Sequence, residues 1–167
     1  PRHGLAPEGG RPVFLHLFVG IEKAMESCRL CEPWSAHEGM RIGLITDVAP
    51  ALKVSGEYVP NPLVETERWI GNDGRIAYGR PKTGEALAAG KAVLKSGEVD
   101  LTALDELTDS LCTRLTMTMP NCLAKTLASI RKKKLEHWNA NSGTNRDWLA
   151  LNMMHAGKAG FQAFNEG

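Results

Sequence analysis

The sequence has no long apolar run and no excess of charge of one sign. Its 167 residues carry 20 Lys and Arg against 19 Asp and Glu, a net charge of +1. A near-neutral chain gives no electrostatic reason to expect nucleic acid as a partner. The apolar run at 13–21 is interrupted by His16 and Gly20, and it is shorter than the roughly 18 residues that a membrane span needs. We therefore expect neither nucleic acid nor membrane among the partners.

Cysteine is scarce, and its spacing fits neither a disulfide framework nor a closed metal site. Cys28 and Cys31 form one C-x-x-C pair, but Cys112 and Cys122 lie ten residues apart, whereas a zinc site uses a second close pair. We expect no metal and interpret the four cysteines as small apolar side chains in a reducing cytoplasm. A metal or redox role for Cys28 and Cys31 is the alternative.

The N-terminus has no signal-peptide pattern, which also favours a cytoplasmic location. The sequence begins Pro-Arg-His-Gly without a methionine, which fits a processed or partial chain. Residues 1–12 contain three prolines and three glycines and are predicted to form a loop. Apolar residues then recur at helical spacing from Phe14 to Cys28, which predicts one helix that Pro33 ends.

A short helix and a strand are predicted next. Ser35 and Glu38 form a capping-box pattern, and Gly43 is a typical residue for the end of this helix. The run Leu-Ile-Thr-Asp-Val at 44–48 predicts a short strand that stops before Pro50.

Residues 51–97 have many glycines and prolines and little helical periodicity. The turn signal Asn-Asp-Gly predicts a hairpin in which 65–70 pairs with 75–78, and an irregular surface loop is the alternative. A short helix that ends at Gly97 is expected after it.

From Asp100 onward the sequence predicts only helices, separated at Pro120. Asn121 is the predicted N-cap of the next helix, and Thr144 or Asn145 that of the last. Two apolar stripes are expected to face a core: Leu101, Leu104, Leu107, Leu111 and Leu115 on the first helix, and Trp148, Leu151, Met154 and Phe161 on the last. The four cations at 131–134 are interpreted as a solvated helix face, with contact to an anionic ligand as the alternative.

No catalytic motif is visible from residue chemistry alone. The sequence has no nucleophile elbow and no phosphate-binding loop, and its five histidines are scattered. These features favour a soluble, helix-rich intracellular domain.

The order of several short motifs is more informative than any one of them. The sequence resembles the C-terminal half of the crotonase superfamily, the enoyl-CoA hydratase and isomerase fold, over residues 4–50 and 100–167. The matching motifs, in order, are Glu8-Gly9-Gly10, Val19-Gly20, Lys23-Ala24, Ser35-Ala36-His37, Gly43-Leu44-Ile45, Val48-Ala49-Pro50 and Ala163-Phe164-Asn165-Glu166. Together with the long insertion, they look most like one subfamily, the 6-oxocyclohex-1-ene-1-carbonyl-CoA hydrolases of anaerobic benzoyl-CoA degradation.

The resemblance implies an α/β fold, a crotonase-like spiral of ββα turns, of which this chain holds mainly the helix-rich C-terminal part. It divides the chain into 1–50, the end of the spiral core, 51–99, an inserted excursion, and 100–167, a helical trimerisation region. It also implies a homo-oligomer, either a trimer or a dimer of trimers.

The activity that the resemblance implies is ring-opening hydrolysis of an acyl-CoA thioester. Gly9 and Gly10 open a helix and are expected to stabilise the thioester enolate through backbone N–H groups. Glu8 is the expected acid or base, and a solvated loop carboxylate is the alternative for it. Arg2 and His3 are weaker candidates. No cofactor is expected, because coenzyme A is part of the substrate.

Three residues near the C-terminus are the expected substrate contacts. Phe164 matches an aromatic residue of the family that packs against CoA, with an ordinary core residue as the alternative. Asn152 falls where the naphthoate-synthase branch has a substrate-contacting tyrosine. Gly167 replaces a lysine that binds CoA phosphate in many members, so Lys158 or the 131–134 run is expected to substitute.

Two alternatives to the ring hydrolase remain. One is another crotonase activity, such as an enoyl- or dienoyl-CoA hydratase, which the length of the 51–97 insertion disfavours. The other is an inactive helical fragment that serves only in oligomerisation.

Overall fold

The computed structural model describes residues 11–166. They belong to two compact units, one made of residues 11–33 with 121–166 and the other of Trp34–Pro120. The elements in chain order are α1 Arg11–Val19, α2 Ile21–Leu30, α3 Ala36–Arg41, β1 Leu52–Val54, β2 Glu57–Val59, α4 Gly84–Ser96, β3 Glu98–Val99, α5 Thr102–Thr116, α6 Pro120–Asn152, a π turn Met153–Gly157 and α7 Lys158–Glu166. The division into 1–50, 51–99 and 100–167 stays a prediction.

The single helix predicted before Pro33 is wrong, because the chain forms two helices that meet at Gly20. Gly20 has a φ of 80°, a conformation that a helix interior does not allow and that glycine adopts at little cost. α2 then ends before Pro33, where Cys31 takes the left-handed conformation and its amide bonds to the carbonyl of Ser27.

The predicted caps of the C-terminal helices are also wrong, because α6 runs without a break for 33 residues. It begins at Pro120, a residue suited to a first helical position because its missing N–H would have no partner there. Ser142, Gly143 and Thr144 lie inside the helix. Such residues lower helix stability by about 1 kcal/mol or less each, which does not outweigh the continuous backbone hydrogen bonds.

α1 packs against the middle of α6 in the first unit. The rings of Phe14 and Trp138 stack with centroids 5.8 Å apart, and the imidazoles of His16 and His137 meet edge to face at 5.7 Å. The ammonium of Lys134 lies 4.9 Å from the centre of the Phe14 ring. The predicted basic run therefore contributes one cation to this contact.

In the second unit, the predicted cap of α3 is confirmed. The Ser35 hydroxyl accepts a hydrogen bond from the amide of Glu38 at 3.0 Å. At the other end, Gly43 has a φ of 79°. Its amide bonds to Met40 O at 3.1 Å, and the amide of Leu44 bonds to Gly39 O at 2.8 Å, the Schellman pattern.

The strand predicted at 44–48 is wrong, because residues 44–46 form bends and residues 47–48 have no regular secondary structure. The amide of Ile45 also bonds back to Gly39 O at 3.3 Å, so the segment completes the end of α3. The strands lie farther along, in an antiparallel sheet of order β2-β1-β3. Ser55 and Gly56 join β1 to β2 with φ values of 54° and 84°, as a two-residue type I′ hairpin requires.

The hairpin predicted between 65–70 and 75–78 is present only as an isolated bridge between Ile70 and Ile76. The amide of Ala77 bonds to Trp69 O, and that of Gly71 to Arg75 O, both at 2.8 Å. The helix expected before Gly97 is confirmed as α4.

α5 ends before Pro120 as predicted, but the leucine stripe is mostly exposed among the described residues, with only Leu107 half-buried. Leu101, Leu104, Leu111 and Leu115 are 41–53% exposed. The apolar stripe expected on the last helix is exposed as well, at Trp148, Leu151, Met154 and Phe161. No helix among residues 11–166 combines the length and the apolar character that crossing a membrane requires.

Candidate functional site

The loop expected to hold the acid and the oxyanion donors lies outside the described residues. This applies to Glu8, Gly9 and Gly10, to the weaker candidates Arg2 and His3, and to Gly167. Their roles stay predictions.

The three expected substrate contacts lie on one continuous helical segment, on both sides of the π turn. The Asn152 amide nitrogen donates to Trp148 O at 2.7 Å, at the end of α6. Lys158 begins α7 and is exposed, and the Phe164 ring farther along α7 is 64% exposed. A π turn adds one residue to the helical repeat and changes which side chains share a face, and such turns are frequent at functional sites. Contact of these residues with CoA stays a prediction.

The second unit contains a groove of about 450 Å³. Two segments, 48–52 and 59–63, provide most of its lining, together with Leu94 and Val99. Ala36 and His37 of α3 complete it. We name this cavity the proline groove, because Pro50, Pro60 and Pro62 are among its walls. Its volume is within the roughly 300–1,000 Å³ of small-molecule sites.

Among residues 11–166, His37 is the one ionisable residue that lines the proline groove. Its Nδ1 is covered from solvent and has no hydrogen-bond partner among the described residues. Burial lowers the pKa of His37, so the imidazole is neutral at neutral pH. The sequence marks His37 only as part of the Ser35-Ala36-His37 motif and assigns it no role at a site.

Aromatic rings hold His37 in place. Its ring meets Tyr78 edge to face at 5.6 Å, and Tyr78 stacks on Trp69 at 5.2 Å. The hydroxyl of Ser35 donates to Gly79 O at 2.6 Å and so links the segment that carries Tyr78 to the start of α3. The imidazole therefore has a defined orientation at the groove.

A polar cluster joins the β1–β2 hairpin to the start of α5, next to the walls of the proline groove. Asp100 accepts hydrogen bonds from Lys53 Nζ at 2.7 Å, from the Tyr58 hydroxyl at 3.0 Å and from the amide of Thr102 at 2.8 Å. The bond from Lys53 is the main reason why the pKa of Asp100 lies far below its ordinary value, with Thr102 and Tyr58 adding to it. The same bond raises the pKa of Lys53.

We expect Asp100→Asn to lower stability at neutral pH and to flatten its acid dependence. A carboxylate whose pKa is depressed on folding stabilises the fold above its unfolded pKa of about 3.9, and that contribution falls as the pH drops towards the folded value. Thermal unfolding from about pH 7 to about pH 2 measures the effect. Asp109→Asn, at an exposed carboxylate on α5, is the control. Equal acid profiles for both variants would contradict the prediction.

The cysteines are free thiols, and their expected burial is only partly right. Cys28 and Cys31 are half-buried, but Cys112 and Cys122 are exposed, so the interpretation of these two as core fillers is wrong. Both lie on helices, where side chains away from the packed face remain in solvent. Within the part of the chain that the structure describes, no three His, Cys, Asp or Glu residues cluster as metal ligands would.

Comparison with curated proteins identifies three relatives, each named 6-oxocyclohex-1-ene-1-carbonyl-CoA hydrolase. Those of Thauera aromatica and Geobacter metallireducens are 51% and 52% identical over 167 residues, all of this chain. That of Syntrophus aciditrophicus is 40% identical over 170 aligned positions, 99% of this chain. The chain spans about 44% of the length of each relative. The resemblance to this subfamily is confirmed.

No protein-family model matches the chain. No solved structure matches it significantly either.

Proposed function

We propose that this chain, similar over its whole length to those hydrolases, is part of an enzyme that opens the ring of 6-oxocyclohex-1-ene-1-carbonyl-CoA with water. The observation that carries the proposal is the identity of 40–52% across the entire chain to three proteins named for this reaction. The enzyme would be a C–C bond hydrolase that acts on a cyclic oxo-acyl-CoA. Its place would be the anaerobic degradation of benzoyl-CoA in the cytoplasm.

The reaction has two steps. Water first adds to the double bond conjugated with the ring ketone and the thioester. A second water then attacks the ketone carbon, and the bond from that carbon to the one carrying the thioester breaks. The electron pair of that bond forms a thioester enolate, which takes up a proton to give 3-hydroxypimeloyl-CoA. Both steps need an acid or base that can move a proton to or from water.

Glu8 is the proposed acid or base, and the N–H groups at Gly9 and Gly10 are proposed to stabilise the enolate oxygen. Phe164, Asn152 and Lys158 are proposed contacts for the CoA thioester. The enzyme needs no separate cofactor, because coenzyme A activates the acyl group through the thioester bond.

The proposed context is a crotonase-like spiral assembled as a trimer or a dimer of trimers. The helix-rich architecture is compatible with the C-terminal part of that fold. The exposed apolar stripes along α5 and along the end of α6, the π turn and α7 support a further protein surface that covers them, because large apolar faces are costly to leave in water.

Another crotonase activity, an enoyl- or dienoyl-CoA hydratase, is the second candidate. Its reaction would end after the first addition of water. The insertion argues for the hydrolase, because it folds into a sheet and α4 rather than a short connection.

The experiment uses the complete enzyme and 6-oxocyclohex-1-ene-1-carbonyl-CoA. The expected result is loss of the enone absorbance together with a product whose mass is two waters above that of the substrate. A product heavier by a single water identifies a hydratase. For the 167-residue chain by itself, no reaction and no CoA-ester binding by calorimetry would support the oligomerisation fragment.

A further inference from the structure

We propose that a pocket between α1 and α2 binds the six-membered ring of the substrate, and that the guanidinium of Arg11 binds the ketone oxygen that becomes part of the product carboxylate. This inference rests on the proposed function for the identity of the ring. It adds a ring subsite and a catalytic residue to which the sequence analysis assigned no role.

The pocket lies between two helix faces of the first unit and has a volume of about 350 Å³. Three of its lining residues are on α1 and four, at helical spacing, are on α2: Arg11, Pro12 and His16, then Ile21, Ala24, Met25 and Cys28. We name it the α1–α2 pocket. Its volume is at the lower end of the roughly 300–1,000 Å³ of small-molecule sites, which suits a ring with its carbonyl groups rather than a whole CoA thioester. All of its lining lies within residues 11–28, so the pocket is complete without the 34–120 unit.

Arg11 is held in place by a buried hydroxyl rather than by a carboxylate. Its Nη2 donates to the hydroxyl of Ser27 and, at 3.5 Å, to the carbonyl of the same residue. Ser27 is only 2% exposed, so this contact fixes the guanidinium against α2. Among residues 11–166, Arg11 forms no ion pair with a carboxylate, and its Nε and Nη1 groups have no acceptor. The guanidinium therefore keeps its charge and several N–H groups available for a ligand.

Two other polar side chains line the pocket, and both are weaker partners for a negative oxygen. The imidazole of His16 packs edge to face against His137 at 5.7 Å, and it has at most two N–H groups against five on Arg11. The thiol of Cys28 is a weak donor. Within the described part of the chain, the lining includes no Asp or Glu. Apolar walls with one permanent cation suit an apolar group that carries a negative oxygen.

The position of Arg11 in the chain fits the arrangement of the two carbonyl groups in the substrate. The ketone carbon and the thioester carbon are bonded to the same ring carbon, so their oxygens are close neighbours. Gly10, whose N–H is proposed to stabilise the thioester enolate, directly precedes Arg11, and consecutive Cα atoms are about 3.8 Å apart. One substrate can therefore meet Gly10 with its thioester and Arg11 with its ketone.

Arg11 would act on the second step of the reaction. When water attacks the ketone carbon, the acid or base accepts the proton of the water, and the ketone oxygen becomes an alkoxide that the guanidinium stabilises. The alkoxide re-forms a C=O group as the C–C bond breaks and its electron pair forms the thioester enolate. The new carboxylic acid loses its proton at neutral pH, and the carboxylate pairs with Arg11. Arg11 itself stays protonated throughout.

The first experiment compares Arg11→Leu, Arg11→Lys and Arg29→Leu in the complete enzyme. Arg29 is an exposed residue of α2 outside the pocket lining and serves as the matched control. Loss of one group that stabilises a developing oxyanion lowers the rate by about 10²–10³-fold. We expect Arg11→Leu to lose enone absorbance normally, to accumulate the singly hydrated ring and to open it more slowly by that factor. Arg11→Lys keeps the charge and should recover part of the rate, and Arg29→Leu should match the parent.

Normal loss of the enone by Arg11→Leu would also show that this variant is folded. Unchanged ring opening in Arg11→Leu overturns the proposal. Equal slowing of enone loss and of ring opening overturns it as well, because Arg11 would then not act on the ketone oxygen.

The second experiment measures binding without turnover. Saturation-transfer NMR is recorded on the complete enzyme with hexanoate and with hexanamide, its uncharged match. Met25→Trp adds bulk to the pocket, whereas Leu17→Trp changes an exposed apolar position of α1 outside the lining. Hexanoate should bind about tenfold or more tightly than hexanamide, as a charged hydrogen bond allows. Arg11→Leu should abolish that difference, Met25→Trp should weaken both ligands, and Leu17→Trp should weaken neither. Equal binding of the two ligands by the parent, or equal binding by all variants, overturns the inference.

The two experiments separate this inference from the proposed function. Hexanoate binding that depends on Arg11, in an enzyme with no ring-opening activity, would refute the function and leave the pocket as a site for an apolar carboxylate. Ring opening that is insensitive to Arg11→Leu and Met25→Trp would support the function and refute the pocket.

Discussion

Gly79→Ala is expected to destabilise the 34–120 unit by about 2–5 kcal/mol. An added Cβ would lie 2.5 Å from the backbone nitrogen and 2.9 Å from the Cα of Glu38. Both atoms belong to the first turn of α3 and cannot move without breaking its cap. Gly79 also has a φ of 83°, which an alanine adopts only with strain. The variant should separate Tyr78 from His37 as well.

Gly56→Ala is the matched control. Gly56 has nearly the same φ, 84°, but an added Cβ there meets nothing within 4 Å. It should therefore show only the conformational cost of about 1–2 kcal/mol. Urea unfolding and amide exchange of α3 residues measure the difference between the variants. An equal decrease in the free energy of unfolding for the two variants would mean that Gly79 is not in tight contact with α3.

Glu8→Gln in the complete enzyme is expected to lower kcat by about 10²–10⁴-fold. The amide cannot exchange a proton with water as a carboxyl group does, but it has the same size and hydrogen-bonding shape. Affinity for the CoA ester should stay within about threefold of that of the parent enzyme, because binding of the ester before reaction does not depend on that proton. Steady-state turnover of the enone and calorimetry with the CoA ester separate the two effects.

Glu22→Gln provides the comparison, because it removes one carboxylate from an exposed position in the first turn of α2. Its turnover should equal that of the parent enzyme. If the turnover of Glu8→Gln equalled that of Glu22→Gln, Glu8 would be removed from the mechanism, and the solvated-carboxylate interpretation would stand.

The features that sequence reasoning predicted correctly are those decided within a few residues. The Ser35 cap, the glycine end of α3 and the break at Pro120 each depend on a side chain or a φ preference that acts on the adjacent turn. The family resemblance was also recoverable, because ordered short motifs survive at identities of 40–52%.

The wrong helix and strand predictions share one physical cause: packing between elements, rather than local sequence, decided the outcome. Gly20 splits the predicted first helix, whereas Gly143 lies inside α6, so the same residue type has opposite effects. A glycine permits both outcomes, and the packing of each helix selects one. The strand predicted at 44–48 had suitable residues but no neighbouring strand, and its amides bond to the end of α3 instead.

The candidate site was only partly visible in the sequence. Phe164, Asn152 and Lys158 were proposed from motif position, and their surroundings on α6 and α7 leave those roles as predictions. His37 was noted only as part of a family motif, because its place at the groove depends on walls that come from five separate parts of the chain, 36–37, 48–52, 59–63, Leu94 and Val99.

The amino-acid sequence by itself determined the helix-rich class, the local caps and the family to which this chain is similar, because short-range chemistry and motif order are written directly in it. Only the tertiary structure decided that Ser35 binds Gly79, 44 residues away, and that His37 meets Tyr78 at an apolar groove. Such contacts join residues distant in sequence. Their stability depends on the shape of the packed unit, which local propensity does not encode.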